Sequence, residues 1–360
     1  MVYQKGAACR LACLPAELLY IVLDSIQDVE SLKSLSTVNR RFRELCAPRI
    51  FRTLNVALST LGLDILVEIS HSAIAPCIRE ILYEIPQSID PLVEDWDYFR
   101  SHIYTPSEYN SDLEDHFWTF GGSVVSYSAV FSYFRSLSRE QRICQWKGRD
   151  RENLIASFPR FPNLGSVHVS FVDGIKSPFR WFTGRVLQDD PDGPGCAKDH
   201  LTKLATAMIA AKAKGVKIHT FEMSGLYTRI DSGDSSILKR LVGKAFHDIQ
   251  DLRIINSPTM LEFLTQVHMS GLRRFELGNC WLSIESLQKF VQCQKGSLRI
   301  LHLEDVWMIN ERIDRDGVYL SMASAKTILR KLAGIWNLGI LSEVTINRQP
   351  GGQCEVRKIF

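Results

Sequence analysis

No C-x-x-C pair, no Asn-x-Ser/Thr acceptor and no stretch of ~20 uninterrupted apolar residues occurs in this chain. Its nine cysteines are scattered, which fits a reducing compartment better than a secretory one, and no spanning helix is expected. Ala7 to Ile26 is apolar enough to suggest a leader, but Arg10, Pro15, Glu17 and Asp24 interrupt it and no small-residue cleavage site follows. The expected location is cytoplasmic or nuclear, with no membrane partner. A dominant charge is also missing: 43 basic against 40 acidic residues leave +3, too weak a field to attract nucleic acid. Partners are then selected by shape and apolar contact. G-x-S-x-G, H-E-x-x-H and G-x-x-x-x-G-K-[ST] are all absent, so the chain is read as non-catalytic, with no cofactor and no metal site. The histidines stand singly, among them His168, His219 and His302 on or beside proposed strands, where a structural role is the commoner case. Asp189, Asp190 and Asp192 suggest a calcium loop, but Pro191 and Pro194 break it and no glutamate closes it.

What is present, 45% apolar residues over 360 positions, is enough to bury a sizeable core. The chain opens on short helices. Pro15 starts the first, with Leu18, Ile21, Val22, Ser25 and Ile26 on one side. Asp28 caps a second, which carries Val29, Leu32, Leu35 and Ser36 on its face. A third runs from about Val38 to Cys46 with Phe42 and Leu45 turned inward, and Pro48 is expected to end it. Arg40, Arg41 and Arg43 read as a solvated face of that helix. So small a unit carries more apolar surface than it can hide among its own helices, so part of that surface must meet a partner, in this chain or another.

Leu14, Pro15, Leu18 and Ile21, followed by Leu32, Leu35, Ser36, Val38, Asn39, Arg40, Phe42 and Leu45, resemble the F-box: a leading Leu-Pro, a central Leu-x-x-Leu-Ser and a closing Val-x-Arg-x-Phe helix. The resemblance covers about Leu14 to Arg52. The tryptophan often found near the end of the motif is absent here; the Phe42 to Phe51 stretch stands in its place, as in fungal members of the family. The resemblance implies docking onto the Skp-type adaptor of a cullin-RING ubiquitin ligase. It assigns adaptor contacts to Leu14, Pro15, Leu18, Ile21, Leu32, Leu35, Val38, Arg40, Phe42 and Leu45.

Beyond residue 50 a frame L-x-x-L-x-L recurs. The fullest copy is Leu272, Phe275, Leu277, Cys280 and Leu282, which fills the leucine-rich consensus with Cys at its Asn/Cys position; next comes Leu298, Leu301 and Leu303, with Val306 at that position. Weaker copies are Phe51/Leu54/Val56, Ile78/Ile81/Tyr83, Leu164/Val167/Val169, Ile218/Phe221/Met223, Ile249/Leu252/Ile254 and Leu341/Val344/Ile346. Helices are expected between copies, one from Ser257-Pro258 to Gly271 and one from Ser283 to Gly296. The copies lie from 23 to 86 residues apart, which describes an irregular stack with insertions. A doubly wound α/β domain is the alternative; the Cys280 position and the lack of a glycine-rich strand-to-helix turn count against it.

The expected fold class is therefore α/β: a tail at 1–11, F-box helices at 12–52, and at 53–360 an irregular leucine-rich-repeat-like solenoid with parallel strands and insertions near 88–135 and 173–200. The first insertion interleaves carboxylates with aromatic rings, which suits either a packed cap or a recognition surface for a basic target. The second is a long Gly/Pro/Asp-rich loop. Target-binding candidates within them are Trp96, Phe99, Trp118, Arg180 and Trp181. The expected function is substrate recognition within a Skp-cullin-F-box ligase. An adaptor-independent scaffold, in which the helices only cap the repeats, and an enzyme in a divergent α/β fold are the other readings.

Overall fold

The computed structural model describes residues 14–26, 28–116, 125–145, 148–172, 174–175, 179, 182–183, 186–187, 196–226, 236–314, 317–322, 343–347 and 356–359. Three helices come first, α1 (Ala16–Ser25), α2 (Val29–Ser36) and α3 (Arg40–Ile50). Asp28 caps α2 by accepting from the backbone N–H groups of Glu30 and Ser31, and Asn39 caps α3 by accepting from Phe42 N–H. Their shared interior is small and separate from the other cores: Leu19, Leu23, Leu32, Phe42, Leu45 and Cys46, with Leu14, Ile26, Leu35 and Ile50 at its margin. Pro48 does not end α3, which continues to Ile50. A proline two residues from the end forfeits one donor only, and the ladder resumes with Phe51 N–H donating to Ala47 C=O at 2.9 Å. Asn39→Ala is expected to destabilise this unit by about 1 kcal/mol, read as faster amide exchange at Phe42 and Arg43, with Asn39→Ser close to wild type.

Two residues after α3 the main sheet begins. In chain order come β1 (Thr53–Ala57), α4 (Thr60–Ser70), β2 (Glu80–Pro86), α5 (Trp96–Tyr98), α6 (Pro106–His116), α7 (Tyr127–Gln145), α8 (Arg149–Ser157) and β3 (Ser166–Val172). There follow α9 (Ala197–Ala213), β4 (Thr220–Ser224), α10 (Ser236–Phe246), β5 (Asp251–Ile255), α11 (Pro258–Leu264), β6 (Arg274–Gly278), β7 (Trp281–Ser283) and α12 (Ile284–Cys293). The last described elements are β8 (Ile300–Glu304), β9 (Trp307–Asp314), β10 (Gly317–Met322), β11 (Glu343–Asn347) and β12 (Val356–Ile359).

The chain is a mixed α/β protein on a parallel sheet. The order is β1-β2-β3-β4-β5-β6-β8-β11-β12, every neighbour pair being parallel except β11 with β12. Strand order follows chain order without reversal, whereas a doubly wound sheet reverses at its switch point. A second sheet, β10-β9-β7, lies at the strand exits of β6 and β8. All eight L-x-x-L-x-L frames fall on the eight parallel strands. Their second positions align across the sheet, as in Leu54↔Ile81, Val167↔Phe221 and Phe275↔Leu301, and so do their third. On β1 to β6 and β8 these side chains, with the helices α4 and α8 to α12, form one continuous core. Among the described first positions Phe51 alone is exposed, because it directly follows α3 rather than a helix of the sheet domain.

At the strand exits the backbone turns through the left-handed region at Gly225, Asn256, Asn279 and Asp305, with φ between 49° and 76°. The ladder continues through the turn, since Gly225 N–H donates to Ile255 C=O and Asn256 N–H to Gly278 C=O, both at 3.0 Å. Next come the buried Leu226, Ser257, Cys280 and Val306. Ser257 was expected to cap α11. Instead its hydroxyl accepts from Leu226 N–H and donates to Ile255 C=O at 2.9 Å each, while its own N–H donates to Cys280 Sγ at 3.4 Å. α11 likewise stops at Leu264, well before Gly271. The buried Gln294 draws the chain out of the helix by accepting from Met269 N–H (2.9 Å) and donating to Val267 C=O (2.6 Å).

The segments after β2 and after β3 together build a satellite core of Ile89, Val93, Phe99, Tyr104, Tyr109, Val130, Phe131, Phe134, Ile175, Phe182 and Val186. α7 serves both cores, and the buried Gln141 ties it down by accepting from Ile89 N–H (2.9 Å) and donating to Gln87 C=O (2.8 Å). Among the described residues no helix is long and apolar enough to cross a membrane.

Candidate docking surfaces

α1 is apolar on two faces. Leu19, Leu23 and Ile26 recur at helical spacing toward the small core. Leu18 and Ile21, three apart, share another side, where Leu18 is 46% and Ile21 66% exposed. Tyr20, Val29 on α2 and Val38 before α3 are exposed as well. Pro15 is exposed, and Leu14 and Leu35 are half-buried at the rim. Arg40 is solvated and paired with Glu44 at 2.8 Å, whose hydrogen bond raises the already high guanidinium pKa. Leu32, Phe42 and Leu45 are corrected: they are buried in the unit's own interior, where they hold α1, α2 and α3 together and offer no surface to a partner. In so small a unit the inner positions have to be filled before any surface is left over.

Polar groups fix the scaffold of this surface. Arg41 donates to Leu14 C=O at 2.7 Å, which fastens the segment ahead of α1 to α3. Arg49 pairs with Asp24 and lies over the Tyr20 ring at 5.3 Å. Hydrogen bonds from Ser31, side chain and backbone, and from Glu30 hold the Asp28 carboxyl below its usual range. A carboxyl with a depressed folded-state pKa stabilises above its unfolded pKa and loses that contribution as the pH falls through the folded one. Burial pushes the Cys46 thiol up, so it is packing rather than a nucleophile.

The target-contact candidates separate. Trp96 is exposed at its rim, edge-on to Phe131 at 4.7 Å between centroids. Phe99 is corrected: it is fully buried in the satellite core against Tyr104, Tyr127 and Phe131. Trp118, Arg180 and Trp181 lie outside the described residues. The carboxylates of this insertion are engaged locally. Asp90 and Asp95 cap turns, Glu108 accepts from Thr105, Asp112 accepts from the Tyr104 hydroxyl, and Glu94 pairs with Arg142 at 2.7 Å.

The sheet face opposite the helices carries a second surface. Alternate side chains of β1 to β6 and β8 point there, and the middle row reads Asn55, Leu82, His168, Glu222, Arg253, Glu276 and His302 across the register. His168 lies 3.0 Å from Glu80 and 3.8 Å from Glu222, and Arg253 lies 3.7 Å from Glu222 and 3.4 Å from Glu276. Arg274 approaches Glu276 at 3.3 Å. The flanking rows add Glu84, Asp251, Glu304 and Glu343. Ligand atoms of Glu276, His302 and Glu304 come within 4.8 Å of one another, but two arginines already hold Glu276, which disfavours a metal ion there. No sequence motif marks this row. It becomes visible only when the eight frames are aligned, as the column between their second and third apolar positions.

A comparison with known families finds no model that matches the chain, and one with curated proteins finds no match.

Proposed function

We propose that this chain is the substrate-recognition subunit of a Skp-cullin-F-box ubiquitin ligase, its first three helices acting as an F-box and its sheet domain as a leucine-rich-repeat-like solenoid that holds a protein target. The observation that carries the reading is the second apolar face of α1, with Leu18, Ile21 and the nearby Val38 (59%) exposed while a different set of side chains fills the unit's interior. Exposed apolar side chains clustered on a small helical unit suit docking onto another protein. Two features support the repeat reading: strand order that follows chain order, and the strand-exit turns where Ser257 and Cys280 bond one another. Only Phe51 and Arg52 separate α3 from β1, so the two parts are held at short range. The chain supplies no reacting group in this proposal; it raises the target's local concentration beside the ubiquitin donor. The setting is cytoplasmic or nuclear.

Leu18→Asp/Ile21→Asp is expected to abolish capture of a Skp-type adaptor while leaving circular dichroism unchanged, because both side chains face solvent. Leu18→Ala alone is expected to weaken capture by about 2 kcal/mol, roughly 30-fold in Kd. Capture of the double variant at wild-type strength would sink the assignment. The short α3–β1 connection also favours a second reading, in which the helices serve chiefly as a cap. On that reading the chain without residues 1–50 fails to fold, whereas a receptor leaves a folded remainder.

A further inference from the structure

We infer that the open sheet face binds an extended basic segment of the target protein, one rich in lysine or arginine. This rests on the solenoid's proposed role as the target-holding part and names the class of target. Side chains on that face comprise seven carboxylates against two arginines and two histidines among the described residues. The whole chain carries +3, so the acidic excess is local to this face. Four of the carboxylates have work to do within the protein: Glu80, Glu222 and Glu276 are bridged by His168, Arg253 and Arg274, and Glu343 accepts from Thr345. Glu84, Asp251 and Glu304 have no ion-pair partner among the described residues.

The relief of the face matches the charge. In the outer row that joins Glu84 to Glu304 stand Ser170, Ser224, Ile255 and Gly278, and in the opposite outer row Ser166 and Thr220 lead to Asp251, so low side chains flank the charged middle row on both sides. At ~4.8 Å per strand the distance from β2 to β8 is about 24 Å, which an extended segment of about seven residues spans. A chain laid along the Glu84 to Glu304 row brings its cations to carboxylates that have no ion pair among the described residues. The stacked rings of Trp281 and Trp307, 5.4 Å apart with Trp281 half exposed, begin three residues beyond Gly278 and Glu304 and extend the surface with aromatic faces suited to cations. An acidic peptide meets only repulsion there.

The test uses the full chain and a fluorescent twelve-residue peptide of alternating lysine and glycine, with a glutamate-for-lysine counterpart. Anisotropy at low ionic strength is expected to show binding of the lysine peptide alone, weakening with salt. Glu84→Gln/Asp251→Gln/Glu304→Gln is expected to reduce affinity about tenfold. Glu68→Gln/Glu152→Gln/Glu262→Gln removes the same charge from exposed positions on the helical side and is expected to leave it within about twofold. Equal loss in both triple variants, no loss in the first, or equal binding of the two peptides would overturn the inference. Adaptor capture by the first triple variant should equal wild type. Failure of the Leu18→Asp/Ile21→Asp experiment would remove the adaptor and leave the peptide result standing.

Discussion

Lys203→Met is expected to lower the unfolding free energy by about 3–5 kcal/mol. Lys203 Nζ lies 2.6 Å from Asp150 Oδ2 and 2.6 Å from Asp199, with side-chain exposures of 9%, 0% and 31% respectively. The other Asp150 oxygen accepts from Arg151 N–H at 2.8 Å. The site sits where α8 and α9 meet beneath the sheet, close to Tyr83, whose hydroxyl pKa is driven well above its ordinary value by burial and then by the Asp150 charge. Methionine fills the lysine's volume but removes the one cation that, among the described residues, lies within bonding distance of a fully enclosed carboxylate. The penalty is that of an uncompensated buried charge rather than of one lost contact. Asp150→Asn/Lys203→Met removes both charges and should recover most of the loss. Urea unfolding followed by circular dichroism measures both; a single-variant effect below about 1 kcal/mol, the range of exposed ion pairs, would contradict the buried geometry.

Gly225→Val should cost about 3–5 kcal/mol, combining a left-handed backbone with a collision. Gly225 has φ +76°, and a Cβ there would stand 2.2 Å from the carbonyl oxygen of Phe171 on the neighbouring strand. The corresponding strand exits at Asn256, Asn279 and Asp305 carry side chains at φ near 50°, so a left-handed turn alone does not exclude one; at Gly225 the close approach of β3 does. Gly215→Val provides the control, since its φ is +87° but nothing lies within 4 Å of the added Cβ. Its cost should be limited to about 1–3 kcal/mol of backbone strain. Equal melting temperatures for the two variants would show that the β3–β4 turn is looser than the geometry requires.

The frames were legible because a strand buried on one face must repeat an apolar residue at period two, and a sheet built in chain order repeats that signature in every copy. Even the weak copies Phe51/Leu54/Val56 and Ile78/Ile81/Tyr83 mark β1 and β2. Helix ends were less legible. Pro48 looked like a stop and is not, while α11 stops at Leu264 because Gln294, thirty residues later, takes the chain's hydrogen bonds. Position counts for the exposed face of α1 as well. α1 is apolar nearly all round, so composition showed a surplus but not which of Leu18 and Leu19 would be outside.

The sequence by itself determined the periods: helical spacing before residue 50, strand frames after it, and a cap at Asp28. Those are local consequences of side-chain spacing and backbone hydrogen-bonding capacity, which need no distant partner. Tertiary structure alone decided that Leu32 and Phe99 are interior, that Leu18 and Ile21 are not, and that Glu222, Arg253 and Glu276 form one charged row. Burial and ion pairing depend on which strands and helices come to lie side by side, and residues far apart in sequence acquire that relation only when the chain has folded.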